Sequence, residues 1–296
     1  MKIGFTADSS SGLKYAPFKT KALITKTTIH FGNEELVDGV DITADEFYEK
    51  LEKTDIIPTT SAPLLGEVLT QVETLKEMGY TDVIHFPIST NLSAYGKNLK
   101  ELIDPHIEGI HFHVCDTYSA TLMQGYLVKI AEHLADLGKN VLEIKEIIGK
   151  IRTQMNAYFI VDDLRYLIKN GRLSSFSGTI GILAKVKPIL TLNSEGRITT
   201  KEKIRTHQKA VSRMFELIVD ETKDVKNADF IVLHTGRLED AIKLSQKIKE
   251  EISCANNVLV STITPTVGAH IGSKILGVGY IIKDGFEDVF KSFELL

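Results

Sequence analysis

The chain has 296 residues, 43% of them hydrophobic and 25% charged, with a formal net charge of -4 at pH 7. This composition is ordinary for a globular protein, and the length exceeds what one hydrophobic core usually supports, which favours two domains. The negative net charge offers no electrostatic attraction for a phosphate backbone, so we expect no nucleic acid partner.

Cysteine content and hydropathy indicate where the protein is expected to reside. The two cysteines, Cys115 and Cys254, cannot build a disulfide framework, which fits a reducing cytoplasm. The first residues predict a strand at once, without a charged leader and apolar stretch, so we expect no secretion signal. No apolar run approaches the ~20 residues of a membrane span, so we expect no stable membrane insertion.

Strands and helices are predicted to alternate through the first half of the chain. Predicted strands cover residues 2–7, 23–31, 81–88 and 111–116, with 35–42 pairing back on the second as a hairpin. Predicted helices cover residues 44–53, 63–78, 93–103, 117–137 and 141–155, and residues 8–12 form a polar turn. Thr43 and Glu46 have the spacing of a capping box at the start of the first helix. This alternation is typical of a parallel, doubly wound sheet.

The second half of the chain predicts a mixed α/β domain. Strands are predicted over residues 189–192, 197–205, 230–234 and 258–263, and helices over 164–169, 208–221 and 238–251, with a helical run ending near 187. The first two strands form a hairpin through the turn Asn193–Gly196. We therefore predict an α/β protein with two domains: an N-terminal parallel doubly wound sheet over residues 1–157 and a C-terminal mixed α/β domain over residues 158–296.

A glycine-rich stretch from Ile263 to Tyr280 contains one histidine, His270, which stands between Gly268 and Gly272. Glycines let a backbone turn sharply and approach a ligand, and histidine can offer an N–H to an anionic oxygen. Since the preceding residues predict a buried strand, we expect a loop at the carboxyl end of a strand, where open α/β sheets place ligands. The alternative is a surface turn with a solvated histidine.

Two further segments cluster hydroxyl groups directly before predicted helices. They are Thr59–Pro63 and Ser89–Ser93. Helix N-termini present unpaired backbone N–H groups, which bind anions. If both segments converge with the His270 loop, hydroxyls and an imidazole surround a carboxylate or phosphate. The alternative is that Ser61 and Ser93 are ordinary helix caps.

Motifs of familiar enzyme classes are missing from the sequence. There is no Gly-x-Ser-x-Gly elbow of a serine hydrolase. The stretch Gly268–Lys274 is one residue short of a Walker A loop, and Ile275 stands where the magnesium-binding hydroxyl belongs. The pair Gly277 and Gly279 lacks the third glycine of a dinucleotide fingerprint.

One predicted strand carries three side chains of types that bind metals. His111, His113 and Cys115 alternate along it, so they share one face, and this combination of ligands suits zinc. No fourth ligand is evident nearby, and strand faces often carry buried, hydrogen-bonded histidines. We therefore predict no metal site.

Basic residues follow the acidic pair Asp162-Asp163 and the short predicted helix after it. Arg172 directly follows the glycine that ends this helix, and the downstream basic residues are Arg197, Lys201, Lys203 and Arg205. A basic rim formed by these residues would suit a phosphorylated product or an acidic partner surface, but the sequence alone favours solvated charges on exposed faces.

The motifs, in this order over nearly the full length, resemble the DegV family of bacterial fatty-acid-binding proteins. The matching stretches are Asp8-Ser9-Ser10, Thr60-Ser61-Ala62-Pro63, Ile88–Ser93, Gly171-Arg172-Leu173-Ser174, Lys187-Pro188-Ile189-Leu190 and Gly268-Ala269-His270-Ile271-Gly272. Each motif is weak alone, whereas their order and spacing together are specific.

The resemblance implies two α/β domains that hold one long-chain fatty acid between them, with its acyl chain in an apolar tunnel of the first domain. The residues implied to bind the carboxylate are Thr60, Ser61, Ser93 and His270, with Asn91, Gly268, Ala269 and Lys274 as additional candidates. Such proteins present the carboxylate to a separate fatty acid kinase, which forms an acyl phosphate for phospholipid synthesis. Arg172 and Arg205 match basic positions that face this partner. The resemblance thus implies a carrier without catalytic residues or cofactor.

The sequence departs from the family pattern at two places. Ala94-Tyr95 replaces a Gly-Thr pair after Ser93, which removes one hydroxyl and adds bulk. Ser273-Lys274 replaces a Pro-Gly pair, so Lys274 either pairs with the carboxylate or points to solvent. The alternative function is a small-molecule transferase or phosphotransferase that uses the same cleft. It would need a nucleotide or metal site, and the sequence shows neither.

Overall fold

The computed structural model of the protein describes residues 2–173 and 186–295. Its strands are β1 (Ile3–Asp8), β2 (Leu23–Thr25), β3 (Thr28–Phe31), β4 (Glu34–Val37), β5 (Thr59–Ser61), β6 (Asp82–Phe86), β7 (His111–Val114), β8 (Met155–Ile160), β9 (Lys187–Leu192), β10 (Ile198–Ile204), β11 (Ala228–His234), β12 (Ala255–Thr262) and β13 (Leu276–Ile282). Its helices are α1 (Ala44–Glu52), α2 (Leu65–Glu77), α3 (Leu99–Ile103), α4 (Thr121–Asp136), α5 (Val141–Arg152), α6 (Arg165–Lys169), α7 (His207–Thr222), α8 (Leu238–Glu251), α9 (Pro265–Ile271) and α10 (Glu287–Phe290). Short 3-10 turns occur at Ser9–Ser11, Leu13–Tyr15 and Asp104–His106.

Three sheets organise the described part of the chain. A parallel four-stranded sheet has the order β2-β1-β6-β7, and a mixed six-stranded sheet has the order β10-β9-β8-β13-β11-β12. A small antiparallel sheet has the order β4-β3-β5. The α/β class, with a parallel sheet first and a mixed sheet second, is therefore confirmed. The predicted boundary at residue 157 falls inside β8, and the division into domains stays a prediction.

The predicted strand over residues 23–31 is wrong, because the structure divides it between two sheets. β2 pairs with β1, whereas β3 pairs with β4 and β5. Between β2 and β3, side chains from elsewhere in the chain accept the backbone hydrogen bonds. Lys26 N donates to Glu67 Oε2 at 3.0 Å, and Thr27 N donates to Ser9 Oγ at 3.2 Å. The break therefore depends on residues distant in sequence. The hairpin of β3 and β4 is confirmed.

Helix boundaries follow local signals where those signals are strong. Thr43 and Glu46 form the predicted capping box at the start of α1. The helix predicted from residue 93 begins only at Leu99, because residues 89–93 form a hydrogen-bonded turn in which Ser93 N donates to Ser89 O at 3.1 Å. The polar turn predicted at residues 8–12 contains a 3-10 turn capped by Asp8. The helical run predicted up to residue 187 lies mostly outside the described residues.

The strand β13 was not predicted, because its glycines resemble those of a loop. It lies inside the six-stranded sheet between β8 and β11. A Cβ on Gly277 would lie 2.8 Å from Phe159 Cβ, so this position requires a residue without a side chain. The glycines of β13 therefore serve close packing in a buried strand.

Helix α4 joins the two large sheets. It contacts β1 of the parallel sheet and β11 of the mixed sheet. Buried Asp229 on β11 accepts a hydrogen bond from Tyr126 Oη of α4 and pairs with Lys283 Nζ at 2.9 Å. This network fixes α4 against the second sheet. In the part of the chain that the structure describes, no helix is both long and apolar enough to cross a bilayer.

Candidate ligand-binding site

A cavity lies where β1, the turn after β6 and the N-terminus of α4 meet α9 and one face of the six-stranded sheet. The residues implied to bind a carboxylate, Thr60, Ser61, Ser93 and His270, all line it. Apolar side chains cover much of the remaining surface: Met123, Phe159, Leu192, Ile198, Leu233 and Ile263. The cavity therefore combines a polar group of hydroxyls and an imidazole with an apolar interior.

His270 is positioned by a helix rather than by the predicted loop. α9 begins with Pro265 in its first turn and ends at Ile271, because the φ of 86° at Gly272 excludes a further helical residue. The helix follows β12, so His270 still lies beyond the carboxyl end of a strand. Its Nε2 lies 2.7 Å from Thr60 Oγ1, which joins two of the implied ligand residues directly.

Burial lowers the pKa of His270 to about 4, and the charge of Arg172 adds to this shift. The imidazole is therefore neutral near pH 7 and carries one N–H. When the hydroxyl of Thr60 donates to Nε2, that N–H lies on Nδ1. The Nδ1 atom is buried and has no hydrogen-bond partner among the described residues. An unpaired buried polar atom costs about 1–3 kcal/mol, which a ligand oxygen at Nδ1 would recover.

We expect His270 to make stability depend on pH in the window from about 4 to its ordinary pKa of 6.5. In this window the unfolded chain binds more protons than the native state, so the contribution of His270 is complete above 6.5 and decreases as the pH falls towards 4. Urea unfolding of wild type and His270→Asn, above and inside the window, measures this contribution. Equal pH slopes for the two proteins would contradict it.

Thr60 and Ser61 lie on a strand and not at a helix cap, which corrects the prediction. They belong to β5, and α2 begins at Leu65 without a side-chain cap. Pairing of β5 with β3 brings His30 to Ser61, with Nε2 at 2.7 Å from Ser61 Oγ. His30 Nδ1 lies 3.5 Å from Glu35 Oε1. The Glu35 side chain is 71% exposed, so this hydroxyl–imidazole–carboxylate row lacks the buried acid of a hydrolase triad.

Sequence reasoning missed His30, because its role depends on which strands pair. The only signal was the polar and apolar alternation of Thr28, Ile29, His30 and Phe31, which puts Thr28 and His30 on one face. Ser61 pairs with Thr28 in the antiparallel register, so His30 reaches Ser61 diagonally. His30 thereby orients a hydroxyl at the cavity.

Ser93 lines the cavity from the turn before α3. Its Oγ accepts a hydrogen bond from Tyr95 N at 3.2 Å, so its own O–H is available to donate to a ligand. The adjacent Asn91 instead donates to Glu195 O at 2.7 Å and ties this turn to the hairpin of β9 and β10. Asn91 does not line the cavity.

The other additional candidates lie away from the cavity surface. Gly268 is buried against Tyr48, whose hydroxyl a Cβ at this position would overlap. Ala269 is fully buried beside Phe47 and Tyr166. Lys274 is 55% exposed and its Nζ lies 3.7 Å from Glu52 Oε1, so of its two predicted orientations the structure has the solvent-facing one.

The two predicted partner-facing arginines differ in position. Arg172 lines the cavity, where its Nε donates to Leu92 O at 3.2 Å and its Nη1 donates to Asn170 O. Arg205 is exposed at the end of β10. Arg172 is thus both a wall of the cavity and a source of positive charge near His270.

Asp8 is a further polar residue of the cavity wall, and its role here was not predicted. Burial raises the pKa of its carboxyl, although hydrogen bonds from Ser10, Ile88 and Gln124 oppose the shift. Ile88 N donates to Asp8 Oδ2 at 2.7 Å. Asp8 therefore anchors the start of the turn that carries Ser93.

The apolar part of the cavity is not confined to residues 1–157, where the resemblance put the acyl tunnel. Phe159, Leu192, Ile198 and Leu233 come from the six-stranded sheet, and Met123 comes from α4. Paired residues of neighbouring strands point to the same face, and Phe159 pairs with Gly277, which itself pairs with Leu233. One face of the second sheet therefore forms a large part of the apolar wall.

The face with His111 and His113 shows no arrangement of metal ligands. His113 Nε2 contacts Asp82 Oδ1 at 3.0 Å, and Cys115 is buried, with burial raising the pKa of its thiol to about 11. Across residues 2–173 and 186–295, no three His, Cys, Asp or Glu side chains are grouped closely enough to hold a metal ion.

The fold and the cavity together define the class of an α/β ligand-binding protein whose site joins polar donors to an apolar interior. The family model described as "Uncharacterised protein, DegV family" matches residues 2–283. The chain belongs to the DegV family. A DegV domain-containing protein of Clostridium acetobutylicum is 34% identical over 278 residues, which covers 94% of this chain and 98% of that relative. One from Staphylococcus aureus is 31% identical over 283 residues, which covers 95% of this chain and 98% of that relative.

Solved structures of related proteins share the fold over nearly the whole chain. The structure of DegV from Bacillus subtilis, described as a fatty acid binding protein, has a TM-score of 0.85 at 29% identity and covers 96% of this chain and 100% of that one. A fatty acid binding DegV family protein from Streptococcus agalactiae has a TM-score of 0.85 at 27% identity, with the same coverage. Members of the family with this fold are thus described as fatty-acid-binding proteins.

Proposed function

We propose that the protein binds one long-chain fatty acid in the cavity between its two large sheets and presents the carboxylate to a separate fatty acid kinase. The carboxylate accepts hydrogen bonds from Thr60, Ser61, Ser93 and His270. The acyl chain lies along the apolar wall. The protein acts in the cytoplasm as a carrier, without catalysis and without a cofactor, and the acyl phosphate formed on it enters phospholipid synthesis.

One observation carries the proposal: beside hydroxyl groups at an apolar cavity lies a buried imidazole nitrogen that no described residue hydrogen-bonds. His270 Nδ1 has no partner among the described residues, while Nε2 is taken by Thr60. A carboxylate accepts hydrogen bonds from an N–H donor and several O–H donors together, and when it ends a hydrocarbon chain it also suits the apolar interior. The relatives described as fatty acid binding at 27% and 29% identity support this choice of ligand.

The energetics of such a complex are consistent. Each buried CH₂ contributes about 0.8 kcal/mol, so a long acyl chain contributes on the order of 10 kcal/mol before ordering costs. A buried carboxylate without partners would cancel much of this gain. Hydrogen bonds from the neutral His270 and from the hydroxyls offset the cost of burying the carboxylate. Because these donors are uncharged, no second charge has to be desolvated.

Binding is tested by thermal unfolding in the presence of oleic acid or of ATP with magnesium. A ligand at about 100 times its Kd stabilises the native state by about 2.7 kcal/mol, so we expect oleic acid to raise the Tm by several degrees. The alternative, a transferase or phosphotransferase, predicts a rise with ATP and magnesium instead. A rise with ATP and magnesium alone would overturn the carrier proposal.

Presentation to a kinase is tested separately with the exposed Arg205. We expect Arg205→Glu to bind oleic acid like wild type but to slow acyl phosphate formation by a fatty acid kinase about tenfold, because rim charges act on association rates. Trapping the acyl phosphate with hydroxylamine measures the rate. Lys223→Glu, at another exposed position, is the matched control. Equal rates of acyl phosphate formation for the two variants would show that Arg205 is not part of the surface that binds the kinase.

A further inference from the structure

A second chamber adjoins the apolar part of the cavity. The two share four wall residues, Ser119, Met123, Ala157 and Leu192. Polar groups line much of the second chamber, among them Arg152, Asn156, Asn193 and Glu221. The second chamber therefore lies on the far side of the apolar wall, and its lining is more polar than that of the first cavity.

The second chamber exists because two strands separate at one end of the six-stranded sheet. β8 and β9 pair from Tyr158–Ile160 to Ile189–Thr191, whereas β8 continues alone along β13 to Met155. At the separation, Asn156 Oδ1 accepts hydrogen bonds from Ala157 N at 2.8 Å and from Thr191 Oγ1 at 3.0 Å. This side chain replaces the missing ladder bonds and keeps the gap open.

Met123 of α4 forms part of the wall that the two chambers share at this gap, and it packs against small residues of the sheet. Gly279 pairs directly with Ala157, and a Cβ on Gly279 would overlap the sulfur of Met123. Met123 is only 3% exposed in this position. Methionine has flexible torsions and adapts to irregular spaces, so its side chain can turn without movement of the helix.

The polar wall beyond Met123 suits a ligand end that is itself polar. The Arg152 guanidinium lies 4.1 Å from the centre of the Tyr118 ring and donates to Ser194 O at 3.0 Å. Arginine has five N–H donors, so this single hydrogen bond leaves donors for a hydroxyl or carboxylate. A terminal methyl group would gain little there, since the neighbouring polar groups would lose contact with water.

We propose that Met123 separates the apolar cavity from a distal polar chamber, and that this chamber receives the polar end of ω-hydroxy and dicarboxylic fatty acids. This inference rests on the proposed function, since it assumes that the fatty acid carboxylate binds at His270. Met123 then sets the length at which an unmodified acyl chain stops gaining affinity, because the next methylene would enter the polar chamber.

The test compares the affinities of unmodified and ω-hydroxy fatty acids of increasing length in wild type and Met123→Ala. For unmodified acids in wild type, affinity rises by about fourfold per buried methylene until the chain reaches Met123 and then levels off. In Met123→Ala, we expect the affinity for unmodified acids to level off at a longer chain length. We expect long ω-hydroxy acids to bind this variant tenfold or more tightly than they bind wild type. Arg152→Ala weakens the long ω-hydroxy acids alone.

Two further variants keep the test conclusive if Met123→Ala folds poorly. Met214→Leu conserves volume at a buried methionine that lines neither chamber, and it is the matched control, with the wild-type length profile expected. Gly279→Ala pushes the sulfur of Met123 away from the sheet and is expected to change the length profile without removing a residue of the carboxylate site. An identical length profile in all variants, with fatty acids still bound, overturns the inference alone. No binding of any fatty acid to wild type overturns the proposed function, and the inference with it.

Discussion

His270→Ala is expected to weaken fatty acid binding by about 10- to 100-fold. A hydrogen bond to a charged group contributes about 1.5–3 kcal/mol, and the substitution removes the N–H that we propose as a donor to the carboxylate. The hydroxyl of Thr60 also loses its partner at 2.7 Å, so the donors around the carboxylate become less ordered. Isothermal titration calorimetry with oleic acid on delipidated protein measures the loss.

Two controls separate the hydrogen bond from general effects of losing a histidine. His106→Ala removes an exposed histidine of the 3-10 turn Asp104–His106 and is expected to bind like wild type. His270→Asn offers an amide N–H in a smaller side chain and is expected to recover part of the affinity. Equal affinity in His270→Ala and wild type would place the carboxylate elsewhere.

Asp229→Ala is expected to lower the free energy of unfolding by about 3–5 kcal/mol, because it leaves a buried charge without its partner. Lys283 Nζ lies 2.9 Å from Asp229, and the two side chains are 13% and 0% exposed. The substitution also removes the acceptor of Tyr126 Oη and of Asn257 Nδ2, which lies at 2.9 Å. Urea unfolding followed by circular dichroism measures the change.

An exposed ion pair provides the matched control for Asp229. Glu146 and Lys150 on α5 lie 2.6 Å apart with side chains 66% and 62% exposed. Glu146→Ala is expected to leave the free energy of unfolding almost unchanged, since solvent screens such pairs. Similar losses for Asp229→Ala and Glu146→Ala would show that the Asp229 network does not fix α4 against the second sheet.

Local signals in the sequence predicted much of the fold. The alternation of apolar strands with amphipathic helices indicated the parallel sheet, and the capping pair Thr43 and Glu46 located the start of α1 within one residue. The division of residues 23–31 between two sheets was beyond such reasoning. It depends on Ser9 and Glu67, whose side chains bind the backbone at the crossing point.

The candidate site was predictable where motifs mark it and not where packing creates it. Thr60, Ser61, Ser93 and His270 are far apart in sequence, yet they line one cavity. Their local structure was predicted less well, since β5 and α9 replace a helix cap and a loop. His30 and Met123 were out of reach, because one depends on strand pairing and the other on the glycines of β13, which were interpreted as a loop.

Native mass spectrometry of the freshly purified protein, followed by denaturing extraction, tests whether the protein carries a fatty acid. We expect an added mass of a few hundred daltons on the folded chain, released on denaturation as a fatty acid. His270→Ala, purified in parallel, is expected to retain less of this ligand. A wild-type protein that shows the bare chain mass, and that takes up no fatty acid when one is added, would rule out fatty acid carriage by this cavity.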